Sequence, residues 1–132
     1  MKKNNPAPAE TKLTAVDLAR LAAAAISEKQ GVDIIAYDVS GVSSIADYYL
    51  VASGQNTAHL KALCNETSLV LKSRGINCWR QSGRPESGWV VADYVDFIIH
   101  FFKKDVRAYY AIDRLWENMP RLDIPLPGHP PG

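Results

Sequence analysis

The run Trp89 to Phe102 (WVVADYVDFIIHFF) constrains this chain more than any other segment. Two stretches rich in β-branched and aromatic residues, Trp89 to Asp93 and Phe97 to Phe102, are separated by Tyr94-Val95-Asp96 alone. Such side chains are stiff in helices and pack well on a pleated surface, and so tight a connection reads as an antiparallel hairpin. A sheet is therefore expected, and other elements must cover it.

Three more strands are readable upstream. Asp33 to Val39 (DIIAYDV) is a nearly continuous apolar run of strand length, expected as a central strand covered on both faces. A turn at Gly41 to Ser44 leads to Tyr48 to Ala52 (YYLVA), and Cys78 to Gln81 is a short candidate before a Gly83-Arg84-Pro85 turn. Helical spacing appears three times. Ala15 to Lys29 repeats Leu18, Leu21, Ala22 and Ala25, with Thr14 and Asp17 in a capping-box arrangement and Gly31 as the stop. Ser53-Gly54-Gln55-Asn56-Thr57 opens a helix to about Arg74, ended by Gly75, with Leu60, Leu63, Cys64, Thr67, Val70 and Leu71 on one face. Asp105 is expected to cap a closing helix in which Ala108, Ala111, Ile112, Leu115 and Met119 share the apolar face.

The predicted order is α-β-β-α-β-β-β-α: a single α/β domain with a mixed five-stranded sheet flanked by helices. Strands with no helix between them pair antiparallel, whereas a connecting helix permits parallel pairing. Met1 to Glu10 reads as a flexible leader, 11–119 as the folded domain, and Pro120 to Gly132 as a Pro-rich tail without regular structure. The length of 132 residues, 47% hydrophobic and 22% charged, suits one core. A net charge of +1 argues against binding dominated by phosphate neutralisation. Cys64 and Cys78 are expected as buried thiols in a reducing compartment, and with no targeting or membrane-spanning run the chain reads as cytoplasmic.

No catalytic, cofactor or metal site is legible. His59, His100 and His129 lie far apart, without the paired spacing of metal ligands. Asp38 is followed two positions on by Ser40, not by a second carboxylate; Asp93 and Asp96 flank the hairpin turn, and Asp47 stands alone. The Ser53-Gly54 helix start, with His59 and Lys61 nearby, reads either as an anion site or as ordinary capping, and capping is favoured. Trp89, Tyr94, Arg107 and Tyr110 are better placed to bind a macromolecule, being the residue types that dominate binding hot spots. Arg107, Tyr110, Arg114 and Glu117 follow one helical stripe, away from the apolar face. Trp89 can equally pack beneath the closing helix.

From Asp33 to about Asn118 the chain resembles the ribosomal silencing factors, the Iojap family. The matching segments are DIIAYDVSGVSSIADYYLVASGQNTAHLKAL, GRPESGWVVADYVDFIIHFF and VRAYYAIDRLWEN. Ser43, Ser44 and Asp47 match its first loop, Trp89, Asp93, Asp96 and His100 its sheet, and Arg107 and Tyr110 its last helix. The family usually has glycine where this chain has Val95, and an acidic residue where it has Ser82.

This resemblance implies a fold similar to the nucleotidyltransferases but without their active carboxylates, and a protein without catalytic activity. It implies binding to the large ribosomal subunit through its fourteenth protein, which blocks joining of the small subunit and represses translation when nutrients are short. It also implies a possible homodimer. The residues expected at the partner surface are Trp89, Asp93, Tyr94, Asp96, His100, Arg107 and Tyr110. The rival readings are a small nucleotidyltransferase-like enzyme, and direct RNA binding through Lys103, Lys104, Arg107 and Arg114.

Overall fold

Thr14 starts the first helix, α1 (Ala15–Glu28), with a reciprocal cap. Its hydroxyl accepts from the Asp17 amide at 3.2 Å, and the Asp17 carboxylate accepts from the Thr14 amide at 3.1 Å. The turn after α1 places Gln30, not Gly31, in the left-handed region, at φ 67°. The chain is seen in a computed structural model that describes residues 13–124 and 126. The predicted leader and the end of the predicted tail lie outside the described residues, as does His129.

Strands β1 (Val32–Asp38) and β2 (Tyr48–Gly54) pair antiparallel. The second long helix, α2 (Thr57–Lys72), follows, capped by Asn56, whose side chain accepts from the His59 amide at 2.8 Å. Ser53 and Gly54 therefore end a strand and do not open the helix. The next strands are β3 (Arg80–Arg84), β4 (Trp89–Asp93) and β5 (Phe97–Lys103), and β4 and β5 form the expected hairpin. Gly83 and Arg84 belong to β3, and the turn begins at Pro85. A Cβ at Gly83 would overlap the Trp89 carbonyl oxygen, so β3 can approach β4 this closely only with glycine there.

The sheet has six strands in the order β3-β4-β5-β2-β1-β6. The sixth, β6 (Arg121–Leu122), pairs with β1 and corrects the five-strand expectation. It also corrects the expectation of no regular structure after Pro120. Proline at 120 lacks an amide, but its carbonyl accepts from Asp38 at 2.8 Å, and two prolineless residues then suffice for a short edge pairing. β2 and β5 run parallel, as the connection through α2 permits, and the other neighbours are antiparallel. Helices α1 and α2 cover one face, over Leu50, Ala52, Val90, Ile99 and Phe101. Cys64 is buried there and its thiol is pushed up to about 12 by desolvation, whereas Cys78 is half-buried.

The closing helix is broken in two, α3 (Lys104–Tyr109) and α4 (Ile112–Leu115), with Ala111 between them at φ 51°. Lys103, not Asp105, occupies the capping position of α3, and the Asp105 carboxylate accepts from Val106 next to it. The break overturns the predicted apolar face. Ile112 is buried, but Ala108, Ala111 and Leu115 are exposed. Among the described residues no helix is long and apolar enough to cross a membrane.

The β4–β5 connection is tighter than the sequence suggests. Val95 has φ 75°, and the Asp96 amide donates to the Tyr94 carbonyl at 2.9 Å, closing a three-residue γ-turn on a β-branched residue. Valine does not divert this turn from positive φ. The Asp93 carboxylate holds it by accepting from the Val95 amide at 2.8 Å. Val95→Gly is expected to raise the urea midpoint by a net gain of about 1 kcal/mol, the relieved strain less the added freedom of the unfolded chain. An unchanged or lower midpoint would show that Val95 is not strained.

Candidate docking surface

Strand register decides which side chains share the face away from α1 and α2. Trp89 pairs with Phe102 and Val91 with His100 across β4 and β5. His100 lies beside Val51 on β2, and Tyr49 and Val51 face Tyr37 and Ile35 on β1. Directly paired residues point to the same side, so these form one aromatic face. Over its β1–β2–β5 part lie Val106, Ile112, Trp116 and Met119, which complete a second apolar cluster.

The cover stops short of β4. Trp89 sits at its edge, its ring centroid 4.8 Å from Phe102 and 5.5 Å from Tyr110. Between β3–β4 and α3 runs a groove of about 300 Å³, lined by Ser82, Gly83, Ser87, Trp89, Val91, Val106 and Tyr110. At its rim Tyr110 is 53% exposed, and beyond it Tyr109 is 82% and Leu115 67% exposed. Solvent-facing aromatics around a concave floor are the kind of surface that macromolecular partners use as an anchor.

His100 lies beneath this surface. Its Nδ1 accepts from the Trp89 indole N–H at 3.3 Å, and its ring packs against Tyr49 at 5.2 Å and Trp116 at 5.2 Å. Desolvation among these rings lowers its pKa to about 4, which favours the neutral imidazole that can accept the indole proton. Its part is to fix Trp89 in place.

Two sequence expectations are corrected here. Arg107 was expected on an exposed stripe but is 3% exposed. Its Nη1 donates to the Asp33 carbonyl and the Ser53 hydroxyl, both at 2.8 Å, and its Nε and Nη2 donate to Asp113 at 3.2 and 2.8 Å. Asp33 lies at an irregularity of β1 with φ 52°, which leaves its carbonyl free for this contact. Arg107 thus ties α3 to the sheet and presents no charge to a partner. Tyr94 is buried on the α2 side, stacked on Phe97 at 5.1 Å, with its hydroxyl pushed up to about 12 by burial. It too is absent from the groove, because strand alternation carries its side chain to the helix-covered face.

Asp93 and Asp96 both lie at the γ-turn, at the end of β4 away from Trp89. There Asp96 and Asp47 line a hollow of about 210 Å³ with Ser43, Ser44 and Val95. Of the predicted residues, the structure brings together Trp89, His100 and Tyr110. It adds Tyr49, Val91 and Trp116, which sequence reasoning missed. Val91 was recoverable from its alternation with Trp89, but Trp116 depends on the break at Ala111. At the start of α2, His59 is not available to an anion: Nδ1 accepts from the Gln55 amide at 2.9 Å and Nε2 bonds the Lys29 carbonyl at 2.8 Å. Among the described residues, no three His, Cys, Asp or Glu side chains gather as metal ligands would.

Residues 12–130 match the family described as "Ribosomal silencing factor during starvation". The chain belongs to this family. It is 35% identical over 105 residues to the Bacillus subtilis ribosomal silencing factor, covering 80% of this chain and 89% of that one. It is 32% identical over 108 residues to that of Halalkalibacterium halodurans, covering 82% and 92%. A crystal structure of a Chromobacterium violaceum protein superposes with a TM-score of 0.75 at 31% identity, covering 80% of this chain and 88% of that one. The mouse protein named "Mitochondrial assembly of ribosomal large subunit protein 1" is 26% identical over 87 residues, which cover 64% of this chain and 38% of that one.

Two tests address how the surface is built. An unfolded histidine takes a proton near pH 6.5 and folded His100 near 4, so its contribution to stability is complete above 6.5 and lost as pH falls toward 4. His100→Gln is expected to show a shallower fall in stability across that window than the parent, in urea titrations at stepped pH; parallel curves would exclude the effect. Arg107→Leu leaves the buried Ser53 hydroxyl and the part-buried Asp33 carbonyl without this donor, and is expected to cost about 3 kcal/mol of unfolding free energy. A loss below about 1 kcal/mol would mean that the contacts of Arg107 do not hold α3.

Proposed function

We propose that this protein docks on the large ribosomal subunit through the Trp89–Val91–Tyr110 groove and blocks joining of the small subunit. The observation that carries this reading is the uncovered aromatic groove in a chain of the silencing-factor family. The partner is the fourteenth protein of the large subunit, and the outcome is repressed translation when nutrients are short. The mechanism is steric. A protein of this size presents on the order of 800 Å² to a specific partner, and inhibition requires only that the bound protein overlap the incoming subunit. No catalytic step or cofactor is needed, and the protein acts in the cytoplasm.

The RNA-binding reading through the closing helix loses its central cation, because Arg107 is buried and paired. The nucleotidyltransferase reading needs several carboxylates gathered to hold metal ions, whereas among the described residues no group of three such side chains gathers.

Co-sedimentation with separated ribosomal subunits tests the proposal. The parent is expected to travel with large subunits and to reduce joined ribosomes in a reassociation gradient. Trp89→Ala and Tyr110→Ala are each expected to weaken large-subunit binding about thirtyfold, the loss of one hot-spot side chain. Tyr110 is largely exposed, so its variant keeps the fold even if loss of Trp89 does not. A parent that stays at the top of the gradient would overturn the proposal; full binding by a folded Tyr110→Ala would remove the groove from it.

A further inference from the structure

We infer that the open edge of the sheet along β3 is a contact for single-stranded RNA, separate from the protein-docking groove. The choice of ribosomal RNA as the natural source rests on the ribosome-binding reading above.

β3 is an outer strand, and all five of its residues are exposed. Arg80 pairs with Asp93 and Arg84 with Trp89, so both arginines lie on the groove side of the sheet, along its outer border. Four steps along the strand separate them by about 13 Å. Immediately before the strand stands Trp79, 64% exposed, with the Arg80 guanidinium 5.0 Å from its ring centroid. Among the described residues no apolar cluster absorbs this indole. A large aromatic in water, held by a neighbouring arginine and followed by a second cation, combines base stacking with backbone neutralisation, as single-strand binders do.

Two other occupants fit less well. A second copy pairing edge to edge about Ser82 would set Arg80 against Arg84 of the copy, two like charges directly opposed. An acidic peptide would use the arginines but leave the exposed indole without a planar partner. Glu86 does not disable the edge: its contact with Arg84 is 3.8 Å and both side chains are largely exposed, so the pair is weak and exchangeable. The net charge of +1 fits a local contact of this kind and not an RNA interface that dominates affinity.

The experiment is fluorescence anisotropy of a labelled mixed-sequence RNA of about ten nucleotides, titrated at several salt concentrations with the full chain. The parent is expected to bind weakly, with an affinity that falls as salt rises. The double variant Arg80→Gln/Arg84→Gln is expected to lose about tenfold at low salt, and its log–log salt slope to shrink by about 1.4, for two phosphate contacts on a single strand. Trp79→Ala is expected to lose about tenfold with the slope unchanged, as removal of a stacking platform should. No binding by the parent, or equal binding by parent and double variant, overturns the inference. Large-subunit co-sedimentation of the same preparations is scored separately. A parent that binds the RNA but not the subunit refutes the silencing reading and leaves the edge contact standing.

Discussion

A sheet has two faces, and the described chain provides long helices for one. Helices α1 and α2 seal the side of Leu50, Ala52, Ile99 and Phe101 completely. The other side is as aromatic, yet only the short α3 and α4 and the segment after them lie across it. Burial of apolar area is the main stabilising term, so such a face would ordinarily be covered throughout. Here the cover ends at Val106 and Tyr110, and Trp89 and Val91 remain at the floor of a groove. The functional reading follows from this shortage of cover.

The position of that cover depends on Arg107. A buried guanidinium is stable only when its donors are satisfied, and here the β1 irregularity, the Ser53 hydroxyl and Asp113 satisfy them. The same contacts link α3 to β1 and β2 and join it to α4 across the left-handed Ala111. The break turns Ile112 and Trp116 down onto the sheet and leaves Tyr109, Tyr110 and Leu115 in solvent. Two opposite outcomes, packing the second face and leaving aromatics in solvent, come from one interrupted helix.

The groove is accordingly preorganised. Trp89 is held between Phe102 and Tyr110 and bonded to His100, so little rotamer freedom is left to lose on binding. The hollow at the β1–β2 loop and the γ-turn, lined by Asp47 and Asp96, lies apart from this site.

Much of the fold was legible in the sequence because its signals are local. The Thr14–Asp17 cap, the β4–β5 hairpin and the Gly75 stop each involve residues close in the chain. Of the site, Trp89, His100 and Tyr110 were legible as residues of the right type. Arg107 and Tyr94 were misread because their burial is set by partners distant in sequence: Asp33 and Ser53 for the first, the α2 side of the sheet for the second. β6 was missed because a two-residue strand has no periodicity and is defined by its neighbour alone. The sequence by itself determined the element types, the hairpin and the family, since propensity, capping and motif order are properties of contiguous residues. The tertiary structure decided which face stayed open and which charges were buried, because exposure depends on what packs from elsewhere in the chain.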